Sequence, residues 1–318
     1  MSKKKPLASI SLDLDNQWSY MKIHGDKGWE KYPSYFDIFI PHILKVLDEL
    51  NLKITFFIVG KDTESEENRK YLKMITDSGH EVGNHSYHHE SWLQTYSYEK
   101  IEKEIIDAEE AIFNATGHQP KGFRGPGFSW SNDLLQVLKN REYLYDASTF
   151  PTWLGPLARM YYFSKSDLSA SEKKARKELF GKFSEGFRSN KPYYHDLKDN
   201  KKLLEIPVTT MPILKVPFHL SYLVYLSGIS NILMKAYLNM AILFCKITGT
   251  QPSYLLHPLD LIGGDKIEAL AFFPGMKLSS DKKVKVFKYV IQKMQKNFDF
   301  VNMSEFANRV KENKVMED

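Results

Sequence analysis

The chain has 318 residues, 42% of them hydrophobic and 14% aromatic, which is enough to bury one large core or a core with an insertion. Its one cysteine, Cys245, excludes an internal disulfide and fits a reducing compartment. Residues 165–202 hold eleven Lys and Arg against six Asp and Glu and so account for the whole net charge of +5; because no nucleic-acid-binding motif accompanies this charge, a nucleic-acid partner is excluded.

Strand and helix signals alternate along most of the chain. Apolar runs and capping residues predict, in order, strand 7–14, helix 34–50, strand 53–59, helix 65–79, strand 80–84, helix 97–116, strand 122–124 and a helix from Ser131. The last part of the chain predicts strand 253–256, helix 280–297, strand 299–302 and a closing helix from Ser304. Pro41 predicts a break or a fresh start in the helix 34–50. Such alternation indicates an α/β fold with parallel strands, a distorted (β/α) barrel.

Residues 151–250 interrupt this alternation and predict a mainly helical insertion within a single domain that spans 1–318. The basic stretch comes first, and nineteen uncharged residues then separate Lys215 from Lys235. Pro217, His219 and the Ser and Asn content make this run too polar for a membrane span. Two interpretations stay open, a buried helical hairpin or an apolar lid that contacts a membrane surface and suits a substrate with a lipid tail.

Residues 80–89 read His-Glu-Val-Gly-Asn-His-Ser-Tyr-His-His and predict a metal site. His85 and His89 are four apart, a spacing that puts two imidazoles on one face of a helical turn and fills half of a four-coordinate site. The apolar strand that ends in Asp13 and Asp15 can supply a third ligand and a base. The alternatives are a solvated His-rich turn or the metal-binding Asp-x-Asp of a glycosyltransferase. The latter lacks a nucleotide-binding pattern here and leaves the histidines unexplained.

Three later segments contain further polar residues after predicted strands or helices. They are Gly122-Phe-Arg-Gly-Pro-Gly-Phe128, Tyr145-Asp-Ala-Ser148 and Ser253-Tyr-Leu-Leu-His-Pro258. Together with the Asp pair and the His-Ser-x-x-His turn, they resemble the five motifs of the polysaccharide deacetylase family, the NodB-homology domain. The resemblance covers residues 8–150 and 250–310. One difference is that Leu14 separates the two aspartates, which are adjacent in many members.

The resemblance implies a barrel of the NodB-homology type with its chemistry at the carboxyl ends of the strands. It implies a divalent metal, zinc first with cobalt or nickel as alternatives, bound by Asp15, His85 and His89. It also implies that Asp13 is the general base, with Arg124 holding its carboxylate in place.

His257 matches the general acid of the family, a role that requires an imidazolium. We expect Asp146 to raise the pKa of His257 and to act with the catalytic groups. Pro126 and Phe128 are expected to bind substrate by forming one wall of the groove, where an aromatic ring can stack on a sugar.

These residues together predict a metal-dependent hydrolase that removes an N-acetyl group from an acetamido sugar of a glycan or a lipid-linked glycan precursor. The alternatives are a deformylase or small amide or ureide hydrolase with the same site, and a metal- or carbohydrate-binding protein without turnover. The start of the chain is basic, but its apolar run ends at Asp13 and is too short for a signal peptide. We therefore expect a cytoplasmic protein with peripheral contact at the inner face of the membrane.

Overall fold

The computed structural model describes residues 5–165, 168, 173–174 and 181–315. Its strands are β1 Leu7–Leu14, β2 Thr55–Ile58, β3 Glu81–Asn84, β4 Gly122–Phe123, β5 Tyr145–Asp146, β6 Tyr193–Asp196, β7 Lys202–Glu205, β8 Thr210–Met211, β9 Val216–Pro217, β10 Ser253–Leu256 and β11 Asp299–Val301. Its α-helices are α1 Gln17–His24, α2 Phe36–Glu49, α3 Glu66–Asp77, α4 Tyr98–Thr116, α5 Asn132–Asn140, α6 Gly155–Lys165, α7 Leu220–Ile229, α8 Asn231–Thr248, α9 Ser280–Gln295 and α10 Met303–Val315.

Nine of the strands form one curled sheet in the order β10-β1-β2-β3-β4-β5-β7-β6, with β11 also paired to β1. Every pairing in this sheet is parallel except that of β6 with β7. The sheet closes halfway into a barrel and helices surround it, so the predicted distorted (β/α) barrel is confirmed. Because the strands are parallel, their carboxyl ends meet along one edge.

Serine caps and apolar periodicity set the helices around the sheet. The side chains of Ser65, Ser97 and Ser131 each accept a hydrogen bond from the backbone N–H three residues later, which fixes the first turns of α3, α4 and α5. α2 packs an apolar face into the core, and its helix runs through Pro41 without a break. The predicted break was wrong, because burial of this face outweighs the loss of one helical hydrogen bond.

The described part of the segment 151–250 contains strands as well as helices. β7 pairs with β5 and β6 pairs with β7, so this part of the segment extends the main sheet. The side chains of Leu203 and Leu204 are buried in different core clusters, as expected for a strand with packing on both faces. The apolar run of this strand is short and lies next to lysines, so the sequence pattern did not predict a strand here. Much of the basic stretch, including residues 169–172 and 175–180, lies outside the described residues.

The α-helices given above for this segment are α6, α7 and α8, and of these α7 and α8 pack on each other and against the main core. α7 begins directly after His219, and α8 ends at Gly249, which adopts the left-handed conformation that glycine favours. Within the described ranges, no helix combines the length and the apolar character required to span a bilayer.

Candidate metal centre and catalytic groups

Adjacent strands bring the predicted polar residues to one edge of the sheet. β10, β1, β2, β3 and β4 are consecutive neighbours, and all but β2 contribute a predicted site residue at or just after the strand end. The residues brought together in this way are Asp13, Asp15, His85, His89, Arg124 and His257. All of them except His257 are at least nine-tenths buried, so the charges among them interact in a medium of low dielectric constant.

Asp15, His85 and His89 form a compact trio of possible metal ligands. One ligand atom from each residue lies within 4.8 Å of the other two. The Oδ1 atom of Asp15 is 2.9 Å from Nε2 of His89 and 3.7 Å from Nε2 of His85. One carboxylate oxygen and two imidazole nitrogens are the donor set of many catalytic zinc sites, which leave a fourth position open.

The loop that carries the two histidines is a tight bend and not the helical turn that their spacing predicts. Ser86 and His89 both have left-handed backbones, with φ angles of 61° and 53°. The Ser86 hydroxyl accepts a hydrogen bond from the His89 backbone N–H at 3.1 Å and so closes the bend. His88 points away from the centre and pairs with Glu104 at 2.5 Å, which explains why it does not join the ligands. A left-handed backbone conformation costs a non-glycine residue roughly 1–2 kcal/mol of conformational free energy, so the loop that positions the two histidines is strained.

The hydrogen bonds of His85 favour a cation at this position. Its Nδ1 lies 2.6 Å from the backbone carbonyl oxygen of Arg124 and must therefore donate its proton there. Burial lowers the pKa of His85, so the ring is neutral and Nε2 carries a lone pair. This lone pair points towards the Asp15 carboxylate, where two acceptors repel each other unless a positive ion lies between them. The residues present thus fit a divalent metal.

Neighbouring side chains keep the carboxylate of Asp15 ionised and form a hydrogen bond to its backbone. Burial opposes ionisation, but the charge interaction and the hydrogen bond with His89 outweigh it and lower the pKa of Asp15 to about 2. The Tyr35 hydroxyl donates to the backbone carbonyl of Asp15. Next to His89 lies Asp62, whose carboxylate accepts hydrogen bonds from Asn16 at 2.7 Å and from the Trp18 indole at 2.8 Å.

Asp13 and Arg124 form a buried ion pair beside the trio. The Nη1 atom of Arg124 lies 2.9 Å from Oδ1 of Asp13 and 2.9 Å from the Ser11 hydroxyl. Its Nε donates to the carbonyl of Ala147 at 3.0 Å, and its guanidinium stacks on the ring of Phe57 at 4.6 Å. With these anchors the guanidinium has one position, and it leaves Oδ2 of Asp13 free to accept a proton.

His257 lies across from Asp13, with its Nε2 atom 4.0 Å from Oδ2 of that residue. Its other ring nitrogen is 3.7 Å from Oδ2 of Asp260. Burial lowers the pKa of His257, but Asp260 and then Asp13 and Asp15 outweigh it and raise the pKa to about 9. The ring is therefore an imidazolium at neutral pH, in the state needed by a general acid.

The partner of His257 is Asp260 and not Asp146, so the prediction for Asp146 was wrong. Asp146 accepts a hydrogen bond from the Ser148 hydroxyl at 2.6 Å and lies beside Glu205. Burial and the neighbouring carboxyl group of Glu205 raise its pKa well above the usual range. It supports the site indirectly, because Ser148 in turn accepts from the backbone N–H of Gly125 at 2.8 Å. The sequence signal for Asp260 was its position three residues after His257, where it accepts a hydrogen bond from the His257 backbone N–H.

Phe128 and Pro126 have different surroundings. Phe128 lines an open cavity of about 250 Å³ together with Trp130 and Phe150, and its ring stacks on Phe150 at 4.7 Å. Pro126 is buried and is not among the residues that line this cavity. None of the metal trio, Asp13 or His257 lines this cavity, so the substrate wall formed by Pro126 and Phe128 stays a prediction.

His219 is a residue of the site that the sequence analysis missed. It lies in the segment 151–250, and its ring is 6.0 Å from that of His257 and 5.5 Å from that of Phe150. Burial lowers its pKa to about 3, so it is neutral, and its Nδ1 has no hydrogen-bond partner among the described residues. A lone histidine in an uncharged run was the available signal. Its position brings the segment to the end of the barrel that carries the trio.

Part of the chain is similar in sequence to known proteins. Residues 26–145 match the family model described as polysaccharide deacetylase. A peptidoglycan deacetylase of Helicobacter pylori is 29% identical over 189 residues, which are 55% of this chain and 61% of that protein. The peptidoglycan-N-acetylmuramic acid deacetylase PdaA of Bacillus subtilis is 30% identical over 110 residues, 34% of this chain and 41% of the relative. The aligned part thus spans less than two thirds of either relative.

The fold has a match along nearly its whole length. A crystal structure from Mycobacterium smegmatis, described as a polysaccharide deacetylase, superposes with a TM-score of 0.63 at 19% identity. It covers 99% of this chain and 93% of the other. At this identity the similarity establishes the shared fold and nothing further.

Proposed function

Because the chain belongs to the polysaccharide deacetylase family, we propose that it is a metal-dependent hydrolase that removes the N-acetyl group from an acetamido sugar of a glycan or glycan precursor. The observation that supports this most is that a proton acceptor and a proton donor lie next to each other beside the possible metal ligands. Arg124 holds Asp13 as a carboxylate, and Asp260 holds His257 as an imidazolium. The Nε2 atom of His257 is 4.0 Å from Oδ2 of Asp13. Hydrolysis of an amide needs one group of each kind.

Asp15, His85 and His89 would hold the metal. A divalent ion bound by these ligands supplies Lewis acidity, which lowers the pKa of water and polarises a carbonyl group. Zinc suits the donor set of one oxygen and two nitrogens, with cobalt or nickel as alternatives.

The protein's own residues carry the protons. Asp13 takes a proton from the attacking water through its free Oδ2, while Arg124 keeps the carboxylate in place. The water oxygen bonds to the carbonyl carbon, and the carbon–nitrogen bond then breaks with its electron pair on nitrogen. His257 donates its proton to that nitrogen, so that acetate and a free amino sugar leave.

Two other functions use part of the same site. A deformylase or a small amide or ureide hydrolase would need the same base, acid and metal and differ only in the acyl pocket. A binding protein without turnover would need the metal ligands alone. The buried Asp13–Arg124 pair and the imidazolium at His257 have no purpose in such a protein, and they favour an enzyme.

Mass spectrometry of candidate substrates tests the proposed function. We expect protein loaded with Zn²⁺, Co²⁺ or Ni²⁺ to remove an acetyl mass from acetamido glycans or from lipid-linked acetamido sugars, whereas an Asp13→Asn variant leaves them intact. Loss of a formyl group alone would replace the proposal with the deformylase. Unchanged substrates in every case, with metal bound, would support the binding protein.

We further propose that the protein acts on the cytoplasmic side and contacts the inner face of a membrane through α8. Ile232, Met240, Leu243 and Ile247 follow one another at helical spacing on α8 and are exposed, Ile232 to 82%. These four residues are here called the α8 stripe. Lys235 and Lys246 are exposed on the same helix, and the chain has no Asp or Glu between Glu205 and Asp260. An exposed apolar stripe on a helix whose charged residues are all lysines suits anionic headgroups.

Sedimentation with lipid vesicles tests this contact. We expect the protein to pellet with vesicles that contain anionic phospholipid, less with neutral vesicles, and less with anionic vesicles in high salt as charges are screened. Leu243→Asp should remove the binding. Phe113→Asp, a matched change at an exposed apolar residue of α4, should not. Equal pelleting of both variants, or none for the wild type, would contradict the contact.

A further inference from the structure

A second cavity, of about 490 Å³, lies directly beside His257 and is not explained by the chemistry above. Its walls come from α1, from α7 and from the loops that follow β10. The side chains that matter most are Tyr20, Tyr222, Val224, Tyr225, Leu259 and Phe273. We call this cavity the apolar pocket.

The inner end of the apolar pocket is polar and belongs to the catalytic centre. His257 and Asp260 both line it. The Tyr20 hydroxyl is buried there without a hydrogen-bond partner among the described residues. Burial and the nearby charge of Asp15 raise the pKa of Tyr20, so its hydroxyl keeps a proton to donate. A polar group of a bound molecule would satisfy this hydroxyl.

The outer part of the apolar pocket is uncharged and reaches the surface. Val224 and Phe273 form its sides, and Tyr225, which is 58% exposed, forms its rim. Ile229, one turn further along α7, is also exposed. The rim therefore lies on the same helical pair as the α8 stripe. A cavity that is polar inside and apolar outside fits a ligand with a polar head and a hydrocarbon chain.

The position of His257 indicates which part of the substrate would enter. His257 gives its proton to the leaving nitrogen, and the sugar stays attached to that nitrogen. The acyl group leaves on the side of Asp15, His85 and His89. Because the apolar pocket is lined by His257 and Asp260 and by none of those three ligands, it lies on the sugar's side.

We propose that the apolar pocket binds an uncharged hydrocarbon chain carried by the sugar substrate, so that the enzyme acts on acetamido sugars linked to a lipid. The proposal rests on the proposed function and adds to it the class of substrate. Tyr225 and Val224 determine this specificity and take no part in the chemistry. α7, which belongs to the segment 151–250, supplies both residues.

Binding of simple glycosides tests the proposal without turnover. Calorimetry would compare the methyl and octyl glycosides of N-acetylglucosamine, the latter below the concentration at which it forms micelles. We expect the wild type to bind the octyl glycoside at least about tenfold more tightly, a gain that burial of two methylene groups is enough to supply. Tyr225→Ala and Val224→Trp should remove the gain, one by opening the rim and the other by filling the pocket.

Tyr289→Ala is the matched control, since Tyr289 is a partly buried tyrosine of α9 that does not line the apolar pocket. It should keep the full gain. If Val224→Trp does not fold, the exposed Tyr225 still provides the test. Equal affinity of wild type for both glycosides, or an equal gain in all the variants, would overturn the proposal.

A glucosamine methyl glycoside with an N-octanoyl group distinguishes the side of entry. If it gained affinity through Tyr225 and Val224 as the octyl glycoside should, the apolar pocket would hold the acyl chain, and the assignment to the sugar's side would be wrong. The result is independent of catalysis. Octyl binding without any hydrolysis would overturn the proposed function alone, and hydrolysis without octyl preference would overturn only the apolar pocket's assignment.

Discussion

Alanine at His85 or His89 is expected to abolish tight binding of a divalent metal and, with it, hydrolysis. Each residue supplies one of the three candidate ligands found among the described residues, and both are buried next to Asp15. Because removal of even an outer hydrogen-bond partner of a ligand costs about 10–100-fold in metal affinity, loss of a ligand should cost at least about 10²-fold. The fold should persist, since the apolar clusters of the core contain neither histidine. Metal content by mass spectrometry and circular dichroism measure the two effects.

The two aspartates provide the control for this prediction. Asp15→Asn should lose the metal, whereas Asp13→Asn should keep it and lose activity, because Asp13 is bound to Arg124 and is not among the three ligands. The opposite outcome would exchange their roles. Wild-type protein that stays free of metal after incubation with Zn²⁺, Co²⁺ and Ni²⁺ would contradict the metal site.

Replacement of His257 by alanine should lower kcat by about 10²–10⁴, the usual contribution of a positioned acid or base. The acid works only as an imidazolium, so the wild-type rate should fall as the pH rises past the pKa of His257, which is about 9. Asp260 is the main group that raises this pKa. Asp260→Asn should therefore move the alkaline fall to lower pH, measured in the pH profile of kcat/KM.

Asp146→Asn is the matched control for Asp260→Asn. Asp146 is hydrogen-bonded to Ser148, lies beside Glu205 and is not among the groups that raise the pKa of His257, so its amide analogue should leave the alkaline fall where it is. A shift in the Asp146 variant with none in the Asp260 variant would restore the partner that the sequence alone predicts.

The site residues at the edge of the sheet could be predicted, because each follows a short apolar run that marks a strand in the local sequence. The strands 7–14 and 253–256 follow from their apolar runs, and each leads to a polar residue that the parallel pairing brings into the centre. His219 and Asp260 were not predicted, because their role depends on distances across the fold. His219 reaches His257 only through the packing of α7 against the end of β10.

The strands β6 and β7 escaped prediction for another reason. They lie in a stretch rich in lysine, and a strand of four residues such as β7, with a charged residue at each end, carries little periodic signal. What defines β7 as a strand is its pairing with β5, which is a long-range contact. The same pairing places Glu205 beside Asp146, and two adjacent buried carboxyl groups cannot be expected from their separate motifs.

Arg124 contacts both the proposed base and one of the proposed metal ligands, and this prepares the site before substrate binds. Its side chain holds the Asp13 carboxylate, while its backbone carbonyl accepts the proton of His85. One residue therefore sets both the direction of the base and the tautomer of a ligand. The distance between Asp13 and His85 is therefore set by the position of one residue of the barrel, and substrate need not be bound to set it. We expect little reorganisation energy at this part of the site, since its dipoles already have their final orientation before the reaction begins.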